Sequence, residues 1–236
     1  MTNPIQGLCS MATRGLLDEL VATYAQHTGV PASFMAIGGV EAARRVSAGE
    51  LFDVVVLASE AIDKLVAAGR LGAAGRIDLV RSGVAAAVPA GASRPDISTE
   101  EALRRAVWAA PRIAYSTGPS GVALMALFER WGIAGEIGSR LVQAPPGVPV
   151  GSLLARGEAE LGFQQLSELI GIEGIELVGP LPPEVQITTV FSAAPAIPAA
   201  LGIDGGAQPE AVRALLAFMG SAESADTKRR HGMEPA

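Results

Sequence analysis

Short apolar runs alternate with longer amphipathic ones along the chain, and the alternation predicts its elements. Ile5 to Cys9 is apolar and ends in Ser10, after which Leu16, Leu17, Leu20, Val21 and Tyr24 recur at helical spacing until Thr28 and Gly29 stop the run. Pro31 to Ile37 reads as a second strand, and Gly38-Gly39 leads into the helical VEAARRVSAGE. Asp53 to Ala58, DVVVLA, is almost continuously β-branched, the pattern of a strand buried on both faces of a parallel sheet. Ser59 is then placed to cap the helix EAIDKLVAAG.

The second half repeats the plan. Ser82 to Pro89 is an apolar strand, Gly91 to Asp96 is a turn, and Ser98 with Glu101 predicts a capping box for a helix running to Ala110. Arg112 to Tyr115 is a short strand that enters the small polar loop Ser116 to Gly121, followed by the amphipathic ALMALFERWG and a connecting helix ending near Arg140. Pro145, Pro146, Gly147 and Pro149 make a rigid loop before a helix from Val150 to Arg156. Glu160 to Gln165, Ile175 to Leu181 and Ile187 to Ala193 read as further strands, with the helical LSELI after the first of them. Pro209 opens the last long helix, and the polar tail from Ala222 predicts a short helix with a loose end. The whole is an α/β pattern with parallel sheets and helices on both faces, in which ligands lie beyond the carboxyl ends of the strands. Ser10, Gly38, Gly39, Ser59, Ser116, Ser120, Gly121 and Gln164 all fall at such ends. Small hydroxyls and glycines beside helix N-termini suit an anion, because free N–H groups and the helix dipole favour negative charge.

At 236 residues the chain has room for one large domain or two smaller ones. Hydrophobic residues make up 49% but aromatics only 4%, so its core is built mainly from Ala, Val, Leu and Ile. A net charge of −6, without a basic run, argues against a nucleic-acid partner. One cysteine, Cys9, excludes an internal disulfide, and two distant histidines make a transition-metal centre improbable, so no cofactor is expected. No apolar run reaches the ~20 residues of a membrane-spanning helix. The N-terminal MTNPIQGLCSMATRG lacks a basic region and an apolar core. The expected location is therefore cytoplasmic as the chain stands, and periplasmic if a leader has been removed.

Several enzyme classes are missing their signatures. STGPSG carries no lysine for a P-loop, no G-x-S-x-G surrounds Ser10 or Ser120, and no G-x-G-x-x-G occurs. Cys9, at a strand end before a helix, is a candidate nucleophile, although such cysteines are more often small buried hydrophobes. Arg14 sits in the first turn of a helix, where the dipole disfavours a cation, so it either points to solvent or meets an anion. Arg44, Arg45, Arg104 and Arg105 read as solvated faces, and Trp108 and Trp131 as core.

Ser10, GGVEA from Gly38, GELFDVVVLASEAIDKL, PSG and GEAELGFQQLSEL together resemble the molybdate-binding type of solute-binding protein, within the type II periplasmic binding proteins. The likeness runs from Ile5 to the closing helix. It implies two Rossmann-like α/β lobes joined by two crossing strands, residues 1–82 with 191–236 in one and 83–190 in the other, with an anion held in the cleft. Carried over by position, the ligand-binding residues are Ser10 in the first loop, Gly39 in the second, Ser59 in the third, and Ser116, Ser120 and Gly121 on the facing lobe; Met11 and Arg14 beside the first loop, Gly38 beside the second and Gln164 at its strand end join them as candidates from their own positions in the chain. Molybdate binders usually offer a serine where this chain has Gly38-Gly39, and Arg14 suits a carboxylate better than a tetrahedral oxyanion. The expected function is binding of a small oxyanion or a di- or tricarboxylate, with an ABC transporter as partner if the protein is exported. The alternative on the same scaffold is a cofactor-free isomerase of the aconitate isomerase type, for which Tyr115 and Glu168 are the candidate bases.

Overall fold

The computed structural model describes residues 3–197 and 209–236. In chain order, β1 (Ile5–Ser10), α1 (Arg14–Thr28), β2 (Ala32–Ile37), α2 (Gly39–Ser47), β3 (Val54–Ala58), α3 (Ser59–Ala67) and β4 (Ile77–Pro89) make the first part. They are followed by α4 (Glu100–Ala109), β5 (Ile113–Tyr115), α5 (Pro119–Arg130), α6 (Ala134–Ile137), β6 (Leu141–Gln143), α7 (Val150–Ala155), β7 (Leu161–Gln165), α8 (Leu166–Leu169) and β8 (Ile175–Pro180). Then come β9 (Thr188–Pro195), α9 (Pro209–Gly220), α10 (Ala225–Arg230) and β10 (Met233–Pro235). The chain divides into two compact units, Met1–Arg81 with Val190–Ala236 and Ser82–Thr189. The two boundaries fall inside β4 and β9, so those two strands carry the chain from one unit to the other.

In the first unit β1 pairs in parallel with β2 on one side and β3 on the other, and β9 pairs antiparallel with β3. The continuous apolar run of β3 has a direct cause. Val54 and Val56 pack with Leu16, Leu17, Leu20 and Tyr24 of α1 and Leu215 and Met219 of α9, whereas Val55 and Leu57 pack on the other face with Val46 of α2 and Ile62 and Leu65 of α3. Both faces are covered, so no position of the strand is left for a polar residue. Gly7 makes room within the sheet, since a Cβ there would lie 2.2 Å from the Phe34 ring.

In the second unit β5 lies between β7 and β6, parallel to both, and β4 runs antiparallel to β7 and β8. Val84, Ala86 and Val88 face Leu103 and Val107 of α4 and Leu124 and Phe128 of α5. Ala85, Ala87 and Ala114 face Val150, Leu153 and Leu154 of α7. That alanine face and Gly162, whose Cβ would stand 2.7 Å from Val150, let α7 approach the sheet closely. A core poor in aromatics is thus filled by bringing the layers near.

Several sequence expectations need correction. β4 begins at Ile77 rather than Ser82, because Asp78 and Arg81 break the apolar run without breaking the strand. Thr99, not Ser98, caps α4, its Oγ1 accepting from the Ala102 N–H at 3.1 Å. The helix after the central loop ends at Arg130, and Gly132 in the left-handed region starts a separate short turn before Arg140. Trp108 is 47% exposed, whereas Trp131 is buried with its Nε1 donating to Glu100 at 2.6 Å. The tail is not loose: β10 pairs with β4, and Arg81 donates to the Pro235 carbonyl at 3.1 Å. Lys228 on α10 is buried.

Candidate functional site

The parallel register of β1 and β2, with Ser10 beside Ile37, brings the carboxyl ends of both strands to one edge of the first unit. Ser10 caps a short 3-10 turn over Met11–Thr13: its Oγ accepts from the Ala12 N–H at 3.3 Å, and Thr13 Oγ1 donates back to the Ser10 carbonyl at 3.0 Å. A Cβ on Gly39 would sit 3.7 Å from Ser10 Oγ, so the serine hydroxyl lies against bare backbone. Ser10 is 9% exposed. Gly38, partly exposed, is the N-cap of α2, and no side chain caps the first turn there or at α3. The first-turn N–H groups of a helix have no partner within the helix, so without a side-chain cap they are available to an anion.

Met11 is partly exposed, and Arg14 is exposed, 3.7 Å from Asp18 one turn on. Ser59, expected as a helix cap, does something else: its Oγ accepts from Arg76 Nη2 at 2.7 Å. Cys9 is fully buried and burial pushes its thiol up to about 12, which removes it as a nucleophile near neutral pH.

The second unit offers a second set of donors. α5 opens with Gly118 as N-cap and Pro119 in its first turn, again without a side-chain cap. Ser116 Oγ and Ser120 Oγ share a hydrogen bond at 3.1 Å, and Ser120 is buried. Gly121 is dictated by contact, because a Cβ there would come within 1.8 Å of the Ser116 carbonyl oxygen. The loop therefore folds back onto the helix it precedes.

β7 lies beside β5 in parallel, Tyr115 opposite Phe163, so Gln164 and the residues after it share an edge with the Ser116 loop. Gln164 is buried and its amide is used at both ends. Oε1 accepts from the Val150 N–H at 2.7 Å, capping α7, and Nε2 donates to Glu168 Oε1 at 2.9 Å. Because the backbone N–H can only donate, it fixes which end of the amide faces Glu168. Burial raises the Glu168 carboxyl from 4.5 to about 7, with the Gln164 hydrogen bond pulling weakly the other way. A carboxyl poised there exchanges a proton at neutral pH, which is what a general base needs. Tyr115 is half-buried at the end of β5. Among the described residues no group of three or more His, Cys, Asp or Glu could hold a metal ion, and no helix is long and apolar enough to cross a membrane.

The structure thus brings Ser10 against Gly39, Ser116 against Ser120 and Gly121, and Gln164 against Glu168. The sequence reading missed Arg76 as the partner of Ser59. The one available hint was the charge pattern Asp63, Arg76, Asp78 around the start of β4.

With this geometry in hand, comparison with known proteins is decisive at the family level. The profile of the family described as bacterial extracellular solute-binding protein matches residues 5–234. The chain belongs to that family. It is 37% identical over 234 residues to an aconitate isomerase of a Pseudomonas species, covering 97% of this chain and 86% of that one. Its fold is shared with the periplasmic molybdate-binding protein of Azotobacter vinelandii, at a TM-score of 0.79 and 18% identity over 98% of this chain and 99% of the other. The sulfate-binding protein SubI of Mycobacterium tuberculosis gives 0.76 at 15% identity, covering 99% of this chain and 87% of that one. The tungstate-binding protein TupA of Desulfovibrio alaskensis gives 0.70 at 18% over 99% of both.

Proposed function

We propose that this solute-binding protein holds a small anion, preferably a di- or tricarboxylate, on donors at strand ends; the first unit presents Ser10, the backbone at Gly38 and Gly39 and Ser59, and the second presents Ser116, Ser120 and the amides around Gly121. The observation that carries the reading is the repeated pairing of a small hydroxyl with an uncapped helix start, at Gly38 and again at Gly118. A net charge of −6 provides no long-range attraction for an anion, so affinity has to come from such short-range donors. Arg14 favours a carboxylate, since its guanidinium is only loosely engaged by Asp18 and presents a planar fork. Calorimetric titration with citrate, tricarballylate, molybdate and sulfate tests this: saturable one-to-one binding of a carboxylate supports it, and no heat with any of the four refutes it. On this reading an ABC transporter receives the ligand outside the cytoplasm, and fractionation of the native cells locates the protein.

A second reading is favoured by the relative named aconitate isomerase and by Glu168. In it the protein moves a proton along a tricarboxylate without a cofactor. The Glu168 carboxylate takes a proton from the carbon next to a ligand carboxylate, and the C–H electron pair passes into that carboxylate as an enolate held by the loop donors. The proton then returns at a different carbon. Incubation with cis-aconitate in D2O, followed by proton NMR, separates the readings: the trans isomer with deuterium incorporation means catalysis, and unchanged cis-aconitate means binding alone.

A further inference from the structure

We propose that Arg76 is a positioning residue that makes the Ser59 hydroxyl an obligate donor to the bound anion; this rests on the anion-binding reading above. A serine hydroxyl has one proton and two lone pairs, and a guanidinium has N–H donors and no acceptor. Arg76 Nη2 donates to Ser59 Oγ at 2.7 Å, so it occupies a lone pair and cannot take the Ser59 proton. No acceptor among the described residues takes that proton. It is left for whatever lies beyond the start of α3, at the carboxyl end of β3.

The guanidinium has little freedom to release Ser59. Its Nε donates to Asp63 Oδ1 of α3 at 2.7 Å and its Nη1 to Asp78 Oδ1 of β4 at 2.8 Å. Asp78 is held in turn by the Ser192 hydroxyl of β9 at 2.6 Å, a bond that keeps its carboxyl below the usual carboxylate range. Three of the Arg76 N–H directions are therefore committed, and its side chain is 25% exposed. The charges decide how Arg76 acts. One guanidinium faces two carboxylates, so the cluster has no net positive charge to offer an anion, and its influence passes through the direction of the Ser59 proton. The lattice also ties Ser59 to β4 and β9, the two strands that continue into the second unit.

A double-mutant cycle tests the proposal, with citrate as probe and affinities measured calorimetrically well below the melting midpoint of each variant. Ser59→Ala should weaken binding roughly tenfold, the loss of one hydrogen bond to a charged group. Arg76→Gln should weaken it severalfold when Ser59 is present and by less than about twofold on top of Ser59→Ala, because residues that act through one another are non-additive. Arg76→Lys keeps a donor but not the three-way fork, and should fall between parent and Arg76→Gln. It also serves if Arg76→Gln does not fold. Equal losses from the Arg76 change in both backgrounds make it a mere brace and overturn the inference, as does parent-like binding by Ser59→Ala. A parent protein that binds no anion overturns the anion-binding reading itself, a distinguishable outcome.

Discussion

Glu168 offers a prediction in which pH sets the sign. Its carboxyl is raised from 4.5 to about 7 by burial, and at about 1.4 kcal/mol for each tenfold change in proton affinity this amounts to roughly 3 kcal/mol. Between these two values the folded chain binds more protons at Glu168 than the unfolded chain does. Stability from this residue is therefore fully present below pH 4.5, falls as pH rises through the interval, and stays at its lowest above 7. Glu168→Gln removes the ionisation while keeping an oxygen to accept from Gln164 Nε2. The variant should match the parent near pH 4.5 and exceed it by about 3 kcal/mol at pH 8, as an order of magnitude. Urea unfolding of both proteins across that range reads the difference directly. A difference that does not change with pH would refute the reasoning, and with it the case for Glu168 as a neutral-pH base. A stabilising Gln here also implies that a glutamate is kept at a cost, which is the pattern of a functional group.

Gly121→Ala should force the Ser116 carbonyl away from its 1.8 Å Cβ position and weaken citrate binding at least tenfold while leaving the fold in place; parent-like calorimetry would contradict that. Cys9, buried with its thiol near 12, should resist iodoacetamide at pH 8 in the native protein and react once urea unfolds it, and rapid native labelling would show the thiol to be accessible. Phe128→Ala, which empties a fully buried position packed on Trp131 and Phe163, should lower unfolding free energy by about 3 to 5 kcal/mol without altering the affinity per folded molecule.

How much of this was readable in the sequence depends on whether the signal was a period or a pairing. The run DVVVLA could be read as a doubly covered strand because burial on both faces leaves no polar position, and the loops at Ser10, Gly38-Gly39 and Ser116 followed from where each strand ended. β10 was not legible, since pairing with β4 is made by backbone and MEP carries no apolar period. Ser59 was placed correctly at the strand end, but its partner Arg76 stands 17 residues away and meets it only after α3 turns the chain back. Thr99 and Ser98 are equally good caps by residue type, and backbone geometry chose the former. Trp108 and Trp131 look alike in apolar context; one faces solvent because α4 packs through Ala102, Leu103 and Val107 instead. Glu168 in LSELI gives no hint of its burial, which depends on the packing of β7 and α7 around α8.

If the proposed function is right, the small hydroxyls at the strand ends bind an anion and do more than shape their loops. Calorimetric titration of citrate into the parent, Ser10→Ala and Ser120→Ala decides it, with Lys64→Ala and Arg105→Ala, both exposed, as controls. Each serine variant should lose roughly tenfold or more in affinity and the controls nothing, in keeping with about 1.5 to 3 kcal/mol for a hydrogen bond to a charged group. Parent-like binding by both serine variants would contradict it and leave Ser10 and Ser120 as loop-shaping residues alone.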